Sequence, residues 1–99
     1  MHEERRRSSR YAFSCNVESG PSRSSNQQVT PALRGRIVDL SETGAGLIGD
    51  RGLPEFTVAP FRFRVPDVPV PLPVLAQVRW VQPVGSDENS FRLGLTFLY

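Results

Sequence analysis

Apolar residues recur at every second position in short runs along this chain, and clusters of turn-forming residues separate the runs. Tyr11, Phe13, Cys15 and Val17 alternate with small or polar neighbours, which predicts a first strand with one apolar face. Residues 18–31 are rich in Ser, Gly, Asn, Gln and Pro and read as a long polar loop. Strand character returns over 33–40, a turn is expected at 39–44, and another strand starts at 45–48 before a second turn at 49–54. In the second half, Phe61, Phe63 and Val65 share one face while Arg62 and Arg64 take the other. Val74, Ala76, Val78 and Trp80 are expected to point one way over 74–82, and Phe91, Leu93, Leu95 and Phe97 do the same over 91–97. No window of helical length shows a 3.6-residue apolar period with credible caps. About six strands around one core predict an all-β fold, a small six-stranded antiparallel β-barrel.

Proline refines that pattern. Pro66, Pro69, Pro71 and Pro73 fall at every second or third position between two strands. Proline donates nothing to a ladder, so the segment reads as an extended connection or an edge rather than a central strand. A proline-rich ligand for a partner domain is the other reading, and the less economical one.

Ninety-nine residues with 38% apolar side chains suit a single domain with one core. Residues 1–10 are polar, charged and aperiodic and are expected to form a flexible arginine-rich arm, with the barrel over 11–99. No run approaches the ~18 apolar residues of a membrane helix, and the early arginines lack the apolar segment of a secretory signal. Cys15, the single cysteine, has no disulfide partner in the chain. A soluble, cytoplasmic protein is the expectation.

The net charge is only +2, yet all twelve basic residues are arginine. High genomic G+C content accounts for that bias in general, but not for the clustering of Arg5, Arg6, Arg7 and Arg10. Catalysis finds little support. His2 lies in the arm with nothing to orient it, Cys15 lacks a histidine partner, and Ser41 has no general base beside it. Asp39, Glu42 and Asp50 match no calcium-loop spacing, and no phosphate-binding glycine loop is present. No enzyme activity and no metal or cofactor are expected.

Two clusters remain. Arg6 and Arg10 form an R-x-x-x-R pair directly before the first strand; guanidinium groups bridge phosphate oxygens bidentately, or donate to O6 and N7 of guanine. Basic arms also bind anions without specificity. The second cluster is Asp39-Leu40-Ser41-Glu42-Thr43-Gly44. As plain structure it is a turn, capped by Asp and Ser, with Gly44 at positive φ. As a site, Asp39 accepts from the N1 and N2 donors of guanine, Ser41 adds a polar contact, and Gly44 and Gly46 admit close approach of the backbone.

In this order, R-x-x-x-R followed by D-x-S-x-x-G resembles the PilZ domain family, bacterial receptors for cyclic di-GMP. Gly44-Ala45-Gly46-Leu47, Val78-Arg79-Trp80-Val81 and Leu93-Gly94-Leu95-Thr96-Phe97 extend the resemblance over nearly the whole chain. It implies a six-stranded barrel binding cyclic di-GMP on its outer surface. Arg6 and Arg10 would grip phosphate and the Hoogsteen edge of guanine, Asp39 and Ser41 would hold a guanine from the barrel side, and Gly44 would shape the turn. Arg5 would favour a stacked pair of ligand molecules, and Arg7 faces water. Many family members carry a C-terminal helix after the last strand; here such a helix is expected to be absent or elsewhere. The leading expectation is a receptor that switches a protein partner when ligand orders the arm. The alternatives are a small barrel binding single-stranded nucleic acid, which lacks an evident aromatic platform, and a PilZ-like adaptor that binds no ligand.

Overall fold

A computed structural model describes residues 11–20, 22–23, 29–30 and 32–98 of the chain; the arm at 1–10, with Arg5, Arg6 and Arg10, lies outside them. The described residues contain strands and no helix. The strands are β1 (Tyr11–Ser19), β2 (Ser22–Arg23), β3 (Val29–Thr30), β4 (Arg34–Leu40), β5 (Gly44–Gly49), β6 (Val58–Arg64), β7 (Leu72–Val84) and β8 (Asp87–Phe97). Six of them close an antiparallel barrel in the order β1-β4-β5-β8-β7-β6, with β1 pairing β6. The expected six-stranded barrel is therefore the fold. Closure leaves no unpaired edge among these strands, which is how small β proteins avoid edge-to-edge association.

Period-two alternation supplies the core. Leu33, Ile37, Leu47, Phe61, Val78 and Leu93 are its largest fully buried side chains. β6 shows the pattern most plainly, with Ala59, Phe61 and Phe63 inside and Val58, Pro60, Arg62 and Arg64 outside. Phe63 meets Phe97 edge to face, with centroids 6.3 Å apart and planes at 62°, the arrangement that ring quadrupoles favour. Cys15 belongs to this core, and burial pushes its thiol pKa up, away from reactive thiolate. The buried Ser19 hydroxyl accepts from the Leu33 amide at 2.9 Å, so a polar group at the barrel's rim is satisfied.

Two expectations need correction. The polar segment 18–31 is not loop throughout: Glu18 and Ser19 continue β1, and β2 pairs with β3 in a separate two-stranded ladder, Ser22 with Thr30 and Arg23 with Val29. Strands of two residues are too short for period-two alternation to mark them. Pro73 lies near the start of β7 opposite Arg62, so the last proline of the series enters a strand instead of preceding it. Proline is tolerated among the first residues of a strand.

Candidate functional site

Asp39 owes its position to an irregularity in β4. Ile37 pairs with Leu47 and Asp39 with Gly46, so Val38 is an extra residue against β5. Strict alternation from the buried Ile37 would point Asp39 into the core. The bulge shifts the phase by one residue, so Leu40 packs against the core and Asp39 turns outward. There the Gly46 amide donates to Asp39 Oδ1 at 3.1 Å, and Arg92 stands 3.9 Å from Oδ2.

The same device operates on β7. Val78 pairs with Leu95 and Trp80 with Gly94, which makes Arg79 the extra residue. Trp80 therefore does not share the inward face of Val78 as alternation predicted; it lies outside, 38% exposed, with its indole over Gly94. A Cβ on Gly94 would collide with the indole ring, and one on Gly46 would meet both Asp39 carboxylate oxygens at 3.0 Å. Gly46 and Gly94 are also paired with each other. One outer rung thus runs Asp39, Gly46, Gly94, Trp80 across β4, β5, β8 and β7. Its two glycines are covered, Gly46 by the carboxylate and Gly94 by the aromatic ring.

Ser41 and Gly44 build the turn beside it. The Ser41 amide donates to the Gly44 carbonyl at 2.9 Å, and Ser41 Oγ accepts from the Gly44 amide at 3.2 Å. Gly44 does not adopt the positive φ expected of it; among the described glycines only Gly85 does. Gly44 is buried against β8, where a Cβ would strike the Leu95 carbonyl oxygen. Its requirement is close approach between strands, not an unusual dihedral. Asp39, Ser41, Gly44 and Gly46 thus come together at one end of the β4–β5 pair.

Trp80, Gly94 and Arg92 adjoin these residues in the structure and were not singled out as candidates by pattern reading. Alternation placed Trp80 in the core, and only a glycine opposite it, Gly94, signals that a large ring lies flat on the sheet.

Comparison with solved structures gives the PilZ domain with c-di-GMP of YcgR from Escherichia coli, at a TM-score of 0.65 and 18% identity, over 95% of this chain and 78% of that one. The crystal structure of YcgR in complex with c-di-GMP, also from Escherichia coli, gives a TM-score of 0.65 and 22% identity. It is matched over 95% of this chain and 38% of its own, so the present chain spans well under half of that protein. At these identities the likeness establishes the fold alone. No curated protein matches the sequence. The PilZ domain profile matches residues 4–99, a span that takes in both motifs and every strand of the barrel, and the chain belongs to the PilZ domain family.

Proposed function

We propose that this domain is a cyclic di-GMP receptor whose ligand lies across the outer rung from Asp39 to Trp80, with Arg6 and Arg10 closing from the N-terminal side. The observation that carries this reading is the outward turn of Asp39 onto a floor of glycines. Guanine presents adjacent N–H donors at N1 and N2, which a carboxylate accepts side by side. Gly46 and Gly94 lack a Cβ, which lets the Asp39 carboxylate and the Trp80 indole lie close against the sheet, side by side for a base to meet. Trp80 offers a π-face at the far end, where stacking of a base contributes about 1–3 kcal/mol. Arg92, 3.9 Å from Asp39, adds a cation toward the phosphates. Ser41 acts chiefly by holding the turn that fixes Asp39, and adds a polar contact when its hydroxyl swings from the Gly44 carbonyl, 3.3 Å away.

Arg6 and Arg10 complete the site as phosphate and guanine ligands, and Arg5 favours two stacked ligand molecules over one. Closure of the arm over bound ligand changes the surface a partner protein meets, which is how the domain would switch that partner. The structures of YcgR with c-di-GMP support this reading through shared fold and family.

Calorimetric titration tests it. Cyclic di-GMP should bind the intact chain saturably, while GTP and cyclic di-AMP should not compete. Arg6→Ala or Arg10→Ala each removes a charged donor, with an expected loss of about 1.5–3 kcal/mol, roughly ten- to a hundredfold in affinity. Absence of binding by the intact chain would sink the proposal.

A further inference from the structure

A second outer face, on β4, β1, β6 and β7, is built from residues that neither the core nor the Asp39 rung uses. On β6 the outward side chains run Val58, Pro60, Arg62, Arg64, apolar at one end and cationic at the other. Pro60 stands opposite Leu75 and Arg62 opposite Pro73, so the apolar ground spreads over two strands. Val58 and Leu75 are 46% and 47% exposed. A groove of about 260 Å³ between Pro73, Leu75, Phe97 and Leu98 opens beside them.

Phe56 marks the apolar end. It is 62% exposed and holds φ at 70°, a region that bulky side chains avoid. Its amide donates to the Val78 carbonyl at 2.7 Å, and its carbonyl accepts from Gln77 Nε2 at 3.3 Å. Those bonds fix the strained backbone, yet neither requires an aromatic side chain. Glycine would make both without strain, so the exposed phenylalanine ring contributes nothing to the barrel that these bonds need and is available for a contact outside it.

The cationic end is unbalanced. Arg36 and Arg64 flank Asn16 on one rung, and Arg34 and Arg62 flank Glu18 on the next. Over these two rungs four guanidinium groups face one carboxylate, with Glu18 3.2 Å from Arg64 and 3.4 Å from Arg62. Asp50 nearby receives the Arg34 backbone amide at 3.0 Å and lies 3.8 Å from Arg51. An open groove of about 460 Å³ runs between Glu18, Arg34 and Arg64.

We infer that this face docks an acidic amphipathic helix of a partner protein. The apolar flank of the helix rests on Phe56, Val58 and Leu75, and its carboxylates meet Arg62 and Arg64. Apolar ground bordered by arginine is the composition of protein interfaces. The outer side of β6 from Val58 to Arg64 measures about 20 Å at ~3.3 Å per residue. A helix of about 14 residues, rising ~1.5 Å each, spans that length. Single-stranded nucleic acid fits less well: among the described residues no exposed aromatic ring lies with these arginines for bases to stack on, and Glu18 sits in their midst.

The probe is a fluorescein-labelled peptide of about 14 residues, with leucines along one helical face and glutamates flanking it, followed by anisotropy against the full chain. Saturable binding is expected. Phe56→Gly should weaken it at least about tenfold while the thermal midpoint holds or rises, because the substitution relieves the strained dihedral. Arg62→Glu with Arg64→Glu should weaken it similarly and flatten its salt dependence. Asp39→Ala, which disables the proposed nucleotide site, should leave it unchanged, so failure here and failure of cyclic di-GMP binding are separate results. The inference is overturned by absence of saturable binding, by Phe56→Gly binding as tightly as the parent chain, or by an oligo-dT of similar length binding more tightly than the peptide.

Discussion

Two glycines do as much for the candidate site as its charged residues. Gly46 and Gly94 are buried although both point outward, because the Asp39 carboxylate covers one and the Trp80 indole the other. The two differ in tolerance. At Gly46 a methyl group meets carboxylate oxygens at 3.0 Å, and a small rotation of Asp39 relieves the contact. At Gly94 the methyl group would occupy ring atoms of Trp80, so the whole indole must leave. Gly94→Ala is therefore expected to shift the tryptophan emission of the free protein and lower cyclic di-GMP affinity about tenfold or more, consistent with loss of one stacked base. Gly46→Ala should leave the emission unchanged. Fluorescence spectra and titrations of the two variants check both outcomes.

At the scale of elements, the site is a product of β-bulges. Val38 and Arg79 each add one residue to a strand, and each turns the next polar or aromatic side chain outward. Deleting Val38 leaves Asp39 directly after the buried Ile37, so alternation still points it outward, whereas a regular ladder that kept Val38 would turn Asp39 into the core. Cyclic di-GMP titration of the deletion variant should therefore find binding retained, and its loss would mean that the bulge does more than set the phase of Asp39.

These bulges also set what was legible in the sequence. The strands over 33–40, 45–48, 61–65 and 91–97 could be read because Ile37, Leu47, Phe61 and Leu93 keep period two within each run. Asp39 and Ser41 were singled out through their motif, whereas Trp80 was assigned to the core because one inserted residue inverts parity without altering composition. β2 and β3 escaped for a different reason: each is two residues long, too short for an apolar alternation to show. The β7–β8 turn is local chemistry. Gly85 at φ 55° and Ser86 connect Val84 to its partner Asp87 in a two-residue hairpin. Asp87 then accepts from the Asn89 amide at 2.8 Å and Ser90 Oγ at 2.9 Å, bonds that hold its carboxyl below the usual range.

For the whole molecule, closure of the barrel separates two outer faces, one with Asp39 and Trp80, the other with Glu18 among its arginines. The second face has a signature in acid. The Arg64 hydrogen bond first, and Arg62 with it, hold the Glu18 carboxyl below its ordinary value of 4.5. A depressed carboxylate stabilises the fold above its unfolded pKa, and that stabilisation is lost as pH falls through the folded value. Urea unfolding should therefore find Glu18→Gln less stable than the parent chain at pH 6, with the gap closing below about pH 4.5 as Glu18 itself protonates. A gap that persisted unchanged at pH 3 would show that the Glu18 ion pairs are not its source.

The chain contains a single tryptophan, so emission excited selectively in tryptophan reports on Trp80 alone. Titrating cyclic di-GMP while following that emission tests most directly whether ligand lies on the rung from Asp39 to Trp80. The expected result is a saturable change that tracks the calorimetric isotherm and disappears in Asp39→Ala. Saturable heat of binding with no change in Trp80 emission would place the ligand elsewhere and contradict the site.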